Sequence, residues 1–271
     1  MLTVSELTNF LDTFAPATLA ESWDNVGLLL GDPQSIVNGV MTCLTLTPDV
    51  AAEAIRQRAS LIVTHHPILF RPVQRLTTET TEGAMLLSLV QAGVAVYSPH
   101  TAFDSASEGI NARICDRIGL TGVQPIRPKI ETTTAAESVE TTVPGAGRYG
   151  RLASATSFEA FANRLREAFQ LTHLDAVPMA RSIQTVGVAC GAAAEFLPDA
   201  AHAGCDLLVT GEARFHAALE ARSLGIGLVL LGHYASERFA VEELADVIAA
   251  RFPELTAWPS RDESDPLVRC G

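Results

Sequence analysis

Three short apolar runs, each passing directly into metal-ligating side chains, constrain this chain most. Leu61-Ile62-Val63-Thr64 leads into His65-His66-Pro67. Val94-Ala95-Val96-Tyr97-Ser98 leads through Pro99 into His100, with Asp104 four residues on. Leu228-Val229-Leu230-Leu231 leads through Gly232 into His233, with Glu237 four residues on. Runs of four or five apolar and β-branched residues suit strands buried on both faces of a parallel sheet. Pro67 cannot continue a ladder, so the first strand must stop there. Open α/β sheets bind their ligands beyond the carboxyl ends of strands, which is where all these histidines fall. Neighbouring strand residues point to opposite sides, so His65 and His66 in a regular strand would not share one ion. At a strand end each can serve a different one, which predicts two metals. A helical turn starting at His233 would put His233 and Glu237 on one face. Imidazole nitrogen and carboxylate oxygen suit Zn, Mn, Fe or Co. A carboxylate can also bridge two metals about 3.5–4 Å apart. His100 either joins this set or orients a neighbour.

Strand and helix signals alternate along the chain. Apolar residues at Val4, Leu7, Phe10, Leu11 and Phe14 have helical spacing, with Thr3 or Ser5 as the cap. Strands at 40–46, 61–64 and 94–98 alternate with helices at 49–58, 83–91 and 108–118. Such alternation argues for βαβ units and an α/β fold. The order returns later, with strands at 186–190, 206–210 and 228–231 and helices at 195–203, 213–223 and 237–251. A strand at 148–153, a helix at 158–169 and a strand around 174–177 precede it. The stretch 130–146 has little to bury and ends in Pro144-Gly145-Ala146-Gly147, which is turn chemistry. It reads as a linker or long loop between a first lobe, 1–129, and a second, 147–271.

The spacing also predicts an internal duplication. Val40 to Thr64 and Val186 to Thr210 repeat strand, helix and strand with one offset, and Gly93 to Asp104 parallels Gly227 to Glu237. The expected architecture is therefore two similar α/β lobes, with largely parallel sheets, facing a shared metal cleft. Thr64-His65-His66 then corresponds to Thr210-Gly211-Glu212. This nominates Glu212 as a residue beside the metals; the alternative is an acid that caps the next helix. If they are not ligands, His100 and Glu212 are the candidate catalytic groups, moving protons or orienting a ligand.

The chain resembles the dinuclear-metal proteins of the NGG-interacting-factor type, many of them known as GTP cyclohydrolase 1 type 2 homologues. The resemblance rests on Trp23-Asp24-Asn25-Val26-Gly27-Leu28, Thr64-His65-His66-Pro67, His100-Thr101-Ala102-Phe103-Asp104, Gly145-Ala146-Gly147-Arg148-Tyr149-Gly150, Asp206-Leu207-Leu208-Val209-Thr210-Gly211-Glu212 and Gly232-His233-Tyr234-Ala235-Ser236-Glu237. It implies that His65, His66, Asp104, His233 and Glu237 hold two divalent cations per subunit, Zn, Mn or Fe. It implies a metal-dependent hydrolase in which metal hydroxide attacks the guanine ring of GTP, and a ring of subunits, often a hexamer. Phosphoester hydrolysis is an equally natural use of two metals, and a non-enzymatic metal-binding or interaction module is the alternative of another class.

Charge bears on partners. The formal net charge is −12 and Lys129 is the only lysine, so general nucleic-acid binding, which needs many phosphate-neutralising cations, is disfavoured. A small anionic substrate, GTP or another nucleotide, remains compatible because two dications reverse the local potential. The five cysteines are scattered, with no Cys-x-x-Cys, which reads as ordinary thiols in a reducing cytoplasm. No apolar run approaches a membrane span, and the first residues lack a basic, then apolar, leader pattern.

Overall fold

The computed structural model describes residues 1–129 and 143–268. In chain order it opens with α1 (Val4–Phe14), β1 (Gly27–Leu30), β2 (Gly39–Cys43), α2 (Pro48–Arg56), β3 (Leu61–Thr64), α3 (Thr81–Ala92), β4 (Ala95–Ser98) and α4 (His100–Ser105). There follow α5 (Ile110–Arg117), β5 (Thr121–Pro128), β6 (Gly145–Thr156), α6 (Phe158–Ala168), β7 (Asp175–Val177), β8 (Ile183–Ala189) and α7 (Leu197–His202). The last elements are β9 (Leu207–Thr210), α8 (Phe215–Leu224), β10 (Gly227–Leu230), α9 (His233–Arg251) and β11 (Thr256–Pro259). Among the described residues no helix is long and apolar enough to cross a membrane.

Local chemistry sets the elements. Thr3 accepts from the Glu6 amide, and Glu6 returns a carboxylate to the Thr3 amide at 2.8 Å, a reciprocal cap that fixes the start of α1. Val4, Leu7 and Leu11 form its buried face. Thr47 caps α2, with Pro48 in its first turn. Gly93 and Gly225 end α3 and α8 in left-handed conformations, φ +67° and +68°, as helix C-caps require.

The chain packs as two compact units, Met1–Phe103 with Arg238–Gly271, and Asp104–Glu237. The first unit holds a five-stranded sheet in the order β1-β4-β3-β2-β11, parallel except for β1. Every residue of β2, β3 and β4 is buried, as their apolar runs require. The second unit holds a six-stranded sheet in the order β5-β6-β8-β9-β10-β7, parallel across β8, β9 and β10 and antiparallel outside them. The fold is the expected mixed α/β, and the duplication is visible in its topology. Val40 pairs with Leu61 and Cys43 with Thr64; Val186 pairs with Leu207 and Ala189 with Thr210. The repeat reaches further than the sequence spacing indicated. A helix followed by an edge strand, α1 and β1, sets β1 antiparallel on β4; α6 and β7 do the same on β10.

The unit boundaries differ from the lobes expected at 1–129 and 147–271. Residues 238–271 belong with the first unit because β11 adds to β2 in register, Thr256 on Gly39 through Pro259 on Thr42. Residues 104–129 belong with the second because β5 pairs along β6. Residues 130–142 of the expected linker lie outside the described residues. Its end, from Gly145, is strand rather than turn. There Gly147, at φ +63°, admits the Phe196 ring, which a Cβ would meet at 3.1 Å. Gly145, Gly147 and Gly150 serve close packing within the sheet.

Arg148 in β6 is fully buried. Its guanidinium donates to the carbonyls of Gly145 (2.8 Å), Ser105 (3.1 Å) and Ala106 (3.0 Å). A cation on the terminal carbonyls of α4 matches the negative end of that helix. Burial lowers the Arg148 pKa from its usual value. Replacing Arg148 with Ala strips these carbonyls of their donors inside the protein. The expected loss is about 3 kcal/mol or more of unfolding free energy, read from urea denaturation. A loss below about 1 kcal/mol would mean that Arg148 does not anchor the end of α4.

Candidate metal centre

In the first unit, β3 stops at Thr64 and the next two residues are held by the tip of β2. The amides of His65 and His66 donate to Cys43 O (2.9 Å) and Leu44 O (2.8 Å). Ser98, at the end of β4, donates to His65 O at 2.7 Å. His100 opens α4 in a left-handed backbone, φ +28°, a conformation that costs a non-glycine residue energy and clusters at functional sites. His65, His66 and His100 each offer a ring nitrogen, and the three nitrogens lie within 4.8 Å of one another. The ring centroids of His65 and His100 are 5.2 Å apart.

Two of the three imidazoles are oriented by partners that the sequence did not announce. Asp24 Oδ1 lies 2.7 Å from His100 Nδ1, and Asp24 Oδ2 accepts from the amide and hydroxyl of Thr101. Burial opposes its charge, but the hydrogen bonds from His100 and Thr101 prevail and hold the Asp24 carboxyl down at about 2. Thr45 Oγ1 lies 2.7 Å from His66 Nδ1. Thr45 is itself fixed from the far end of the chain. Glu263 spreads its carboxylate over the amides of Leu44 (2.9 Å) and Thr45 (2.6 Å), and Arg238 pairs with Glu263 at 3.2 Å.

In the second unit the ends of β8, β9 and β10 carry another cluster. His233 sits between two carboxylates, Glu237 Oε2 at 3.1 Å from Nε2 and Glu212 Oε1 at 3.2 Å from Nδ1. The bond to Glu237, against the opposing effect of burial and with help from Glu212, raises the His233 pKa to about 9. Asp104 accepts from the Cys190 thiol at 3.1 Å. Asn111 links the two, donating to Asp104 O and accepting from the Cys190 amide. Burial and the charges of Asp104 and Glu237 push the Cys190 thiol well up, so it remains a protonated donor. Gly191 follows at φ +65°, and a Cβ there would collide with Glu237 Oε1. Glycine is thus required for Glu237, 3% exposed, to occupy its place. Glu212 follows β9 as His66 follows β3, as the repeat predicted. The capping alternative fails: the N-cap of α8 is Arg214, and no side chain caps it.

The sequence-nominated residues therefore fall into two groups, His65, His66 and His100 in one unit and Asp104, Glu212, His233 and Glu237 in the other. The donors fit a divalent transition cation. Gathered imidazoles with a carboxylate on the remaining ring nitrogen are the arrangement that fixes a ligating tautomer and raises basicity. Asp24 and Glu212 supply that carboxylate to His100 and His233. Asp24, Thr45, Cys190, Asn111, Gly191 and Glu263 escaped the sequence reading. Asp24 alone had a signal, its place in the Trp23–Leu28 stretch.

These features define an α/β protein with histidine–carboxylate groups at the carboxyl ends of parallel strands. The pattern of the Duf34/NIF3 (NGG1p interacting factor 3) family matches residues 2–266, and the chain belongs to that family. It is 32% identical over 277 residues to a Schizosaccharomyces pombe protein named Protein NIF3 homolog, with 97% of each chain covered. It is 30% identical over 237 residues to a Clostridium acetobutylicum protein named GTP cyclohydrolase 1 type 2 homolog, covering 87% of this chain and 85% of that one. The crystal structure of a Staphylococcus aureus protein superimposes with a TM-score of 0.88 at 25% identity over 99% of both chains.

Two outcomes follow for the protein kept metal-free with chelator. Replacing Asp24 with Asn removes the anionic acceptor behind His100 and should weaken zinc affinity about 10–100-fold, measured by competition with a chromogenic chelator. Unchanged affinity would remove His100 from the centre. The raised pKa of His233 means that the folded protein holds its proton more tightly than the unfolded chain. The stability this contributes is complete below pH 6.5 and is lost as pH rises through about 9. The gap in urea midpoint between the wild type and His233→Gln should therefore narrow over that window. A gap independent of pH would show that the carboxylates do not hold a proton on His233.

Proposed function

We propose that this protein is a hydrolase dependent on two divalent cations held by His65, His66, Asp104, His233 and Glu237. The observation that carries the reading is the pairing of an imidazole with a carboxylate at Nδ1 in each unit, Asp24 with His100 and Glu212 with His233. Such pairs are costly to assemble for stability alone and are what ligating histidines need. Bound divalent cations would supply Lewis acidity and lower the pKa of water toward neutrality. The chain's own residues do the rest. Asp24 and Glu212 fix the ring orientations and place the protons on Nδ1. Cys190 holds the Asp104 carboxylate through its thiol proton. Glu212, half-exposed and lining a cavity of about 740 Å³ with Glu195, Arg214 and His216, is placed to exchange a proton with a ligand there. His100 has Nδ1 engaged by Asp24 and offers a ring nitrogen to the imidazole group, so it acts as a ligand or as the support of one.

The substrate reading is a small anion. The name of the Clostridium acetobutylicum relative supports ring opening of GTP, and the two-cation centre supports phosphoester cleavage equally. Self-association, as a hexamer, belongs to the same reading, and the exposed Phe215, Leu219 and Leu224 of α8 support a surface made to be covered.

Metal content and turnover test the proposal together. Protein loaded with Zn, Mn or Fe should carry two ions per chain and hydrolyse GTP or a generic phosphodiester. Glu237→Gln should cost activity by orders of magnitude, because that carboxylate orients His233 and joins the ligand set. Glu212→Gln should cost about 10–100-fold. Two bound ions with no turnover of either substrate would favour a non-enzymatic metal-binding module. One ion or none after reconstitution would end the two-metal reading.

A further inference from the structure

Two large aromatic side chains stand in solvent beside the three imidazoles of the first unit. Trp23 is 61% exposed and Phe70 49% exposed. Their ring centroids lie 6.0 Å apart in an edge contact, and the Trp23 ring lies 6.2 Å from that of His100. Burying an indole is among the largest apolar gains available to a fold, so leaving this one out at a polar centre calls for an explanation.

The pair is held outward by its neighbours. Asp24, next to Trp23, is pinned by His100 and Thr101. Asn25 donates its side-chain amide to Leu69 O at 3.0 Å, which fastens the segment carrying Trp23 to the residue before Phe70. Leu69 is left-handed, φ +54°, a costly conformation for leucine that turns the chain just where Phe70 must emerge. An edge contact covers at most one face of one ring, so an aromatic face stays available. Arg71 and Arg75 follow on the same exposed loop, and neither makes a side-chain hydrogen bond or ion pair among the described residues. In a chain of net charge −12, two unneutralised guanidinium groups on one loop are positive charge in search of an anion.

We propose that Trp23 and Phe70 form a stacking platform for a planar heterocycle, and that Arg71 and Arg75 meet the anionic group the same ligand carries. Stacking on an indole tolerates any flat ring, whereas guanidinium groups bind phosphate through paired donors. The ligand class is therefore a nucleoside monophosphate or a similar heterocyclic anion. The ring is presented to His65, His66 and His100, so the proposal rests on the metal-centre reading for its purpose, although not for its detection.

Equilibrium dialysis of the full chain, metal-free and then zinc-loaded, tests it with AMP, GMP, adenosine and ribose 5-phosphate as probes. AMP and GMP should bind alike, and ribose 5-phosphate at least tenfold more weakly. Trp23→Leu and Phe70→Ala should weaken AMP at least tenfold with the circular dichroism spectrum unchanged. Arg71→Gln with Arg75→Gln should weaken AMP toward the affinity of adenosine and leave adenosine itself unaffected. Equal binding of AMP and ribose 5-phosphate, or full AMP binding by Trp23→Leu, overturns the platform. So does a Trp23→Leu variant whose only change is a smaller oligomer, because a second copy of the chain then covers the aromatic pair. Metal content is measured on the same samples and on protein loaded with Mn or Fe. A chain that binds AMP through Trp23 but takes up none of Zn, Mn or Fe keeps the platform and loses the hydrolase reading; metal uptake without AMP binding does the reverse.

Discussion

The candidate centre depends on where parallel strands stop. In each unit two strands pair with the same offset, Val40 on Leu61 and Val186 on Leu207, so Thr64 and Thr210 end level with Cys43 and Ala189. Parallel ladders spend their backbone groups along the strands, and the first unpaired positions open at one common edge. There the amides and carbonyls need new partners, and the neighbouring strand tip provides them. His65 and His66 hang from Cys43 and Leu44, while Gly211 and Glu212 hang from the Gly191 carbonyl. A one-residue slip in either register would exchange inward and outward side chains and scatter the cluster.

The polar groups at these edges form a supported network. A buried carboxylate or imidazole without partners costs several kcal/mol, so each must be met by a donor or a charge. Asp24 answers His100, Cys190 answers the Asp104 carboxylate while Asn111 holds the Asp104 backbone carbonyl, and Glu263 ties down the loop that bears Thr45. Glu53, fully buried, accepts from Ser260 Oγ and from the amides of Arg261 and Asp262, which secures the segment that delivers Glu263. The C-terminal stretch thus acts twice: β11 extends the first sheet at β2, and the segment after it brings Glu263, whose carboxylate steadies the surroundings of His66.

The duplicated halves have diverged at equivalent positions. The strand after the first helix of the repeat ends in two histidines in one unit and in Gly211-Glu212 in the other. Both histidines that follow the last strand of the repeat keep a carboxylate at Nδ1. The acids come from non-equivalent places, Asp24 before β1 and Glu212 after β9. The common requirement is chemical: a ring nitrogen held by an anion fixes the tautomer whichever element supplies the charge.

The sequence by itself determined the alternation of strands and helices, the repeat, and the residues at the strand ends, because these are local facts. An apolar run buried on both faces, a proline that stops it and a histidine placed next can be read within ten residues. It did not determine the unit boundaries or the edge strands β1, β5 and β11, whose glycines and prolines resemble loop. Nor did it determine who supports the ligand candidates. Asp24 meets His100 across 76 residues, Cys190 meets Asp104 across 86, and Glu263 meets Thr45 across 218. Only the tertiary structure decides such pairings, because a hydrogen bond depends on angles and on distances of about 3 Å that packing alone sets.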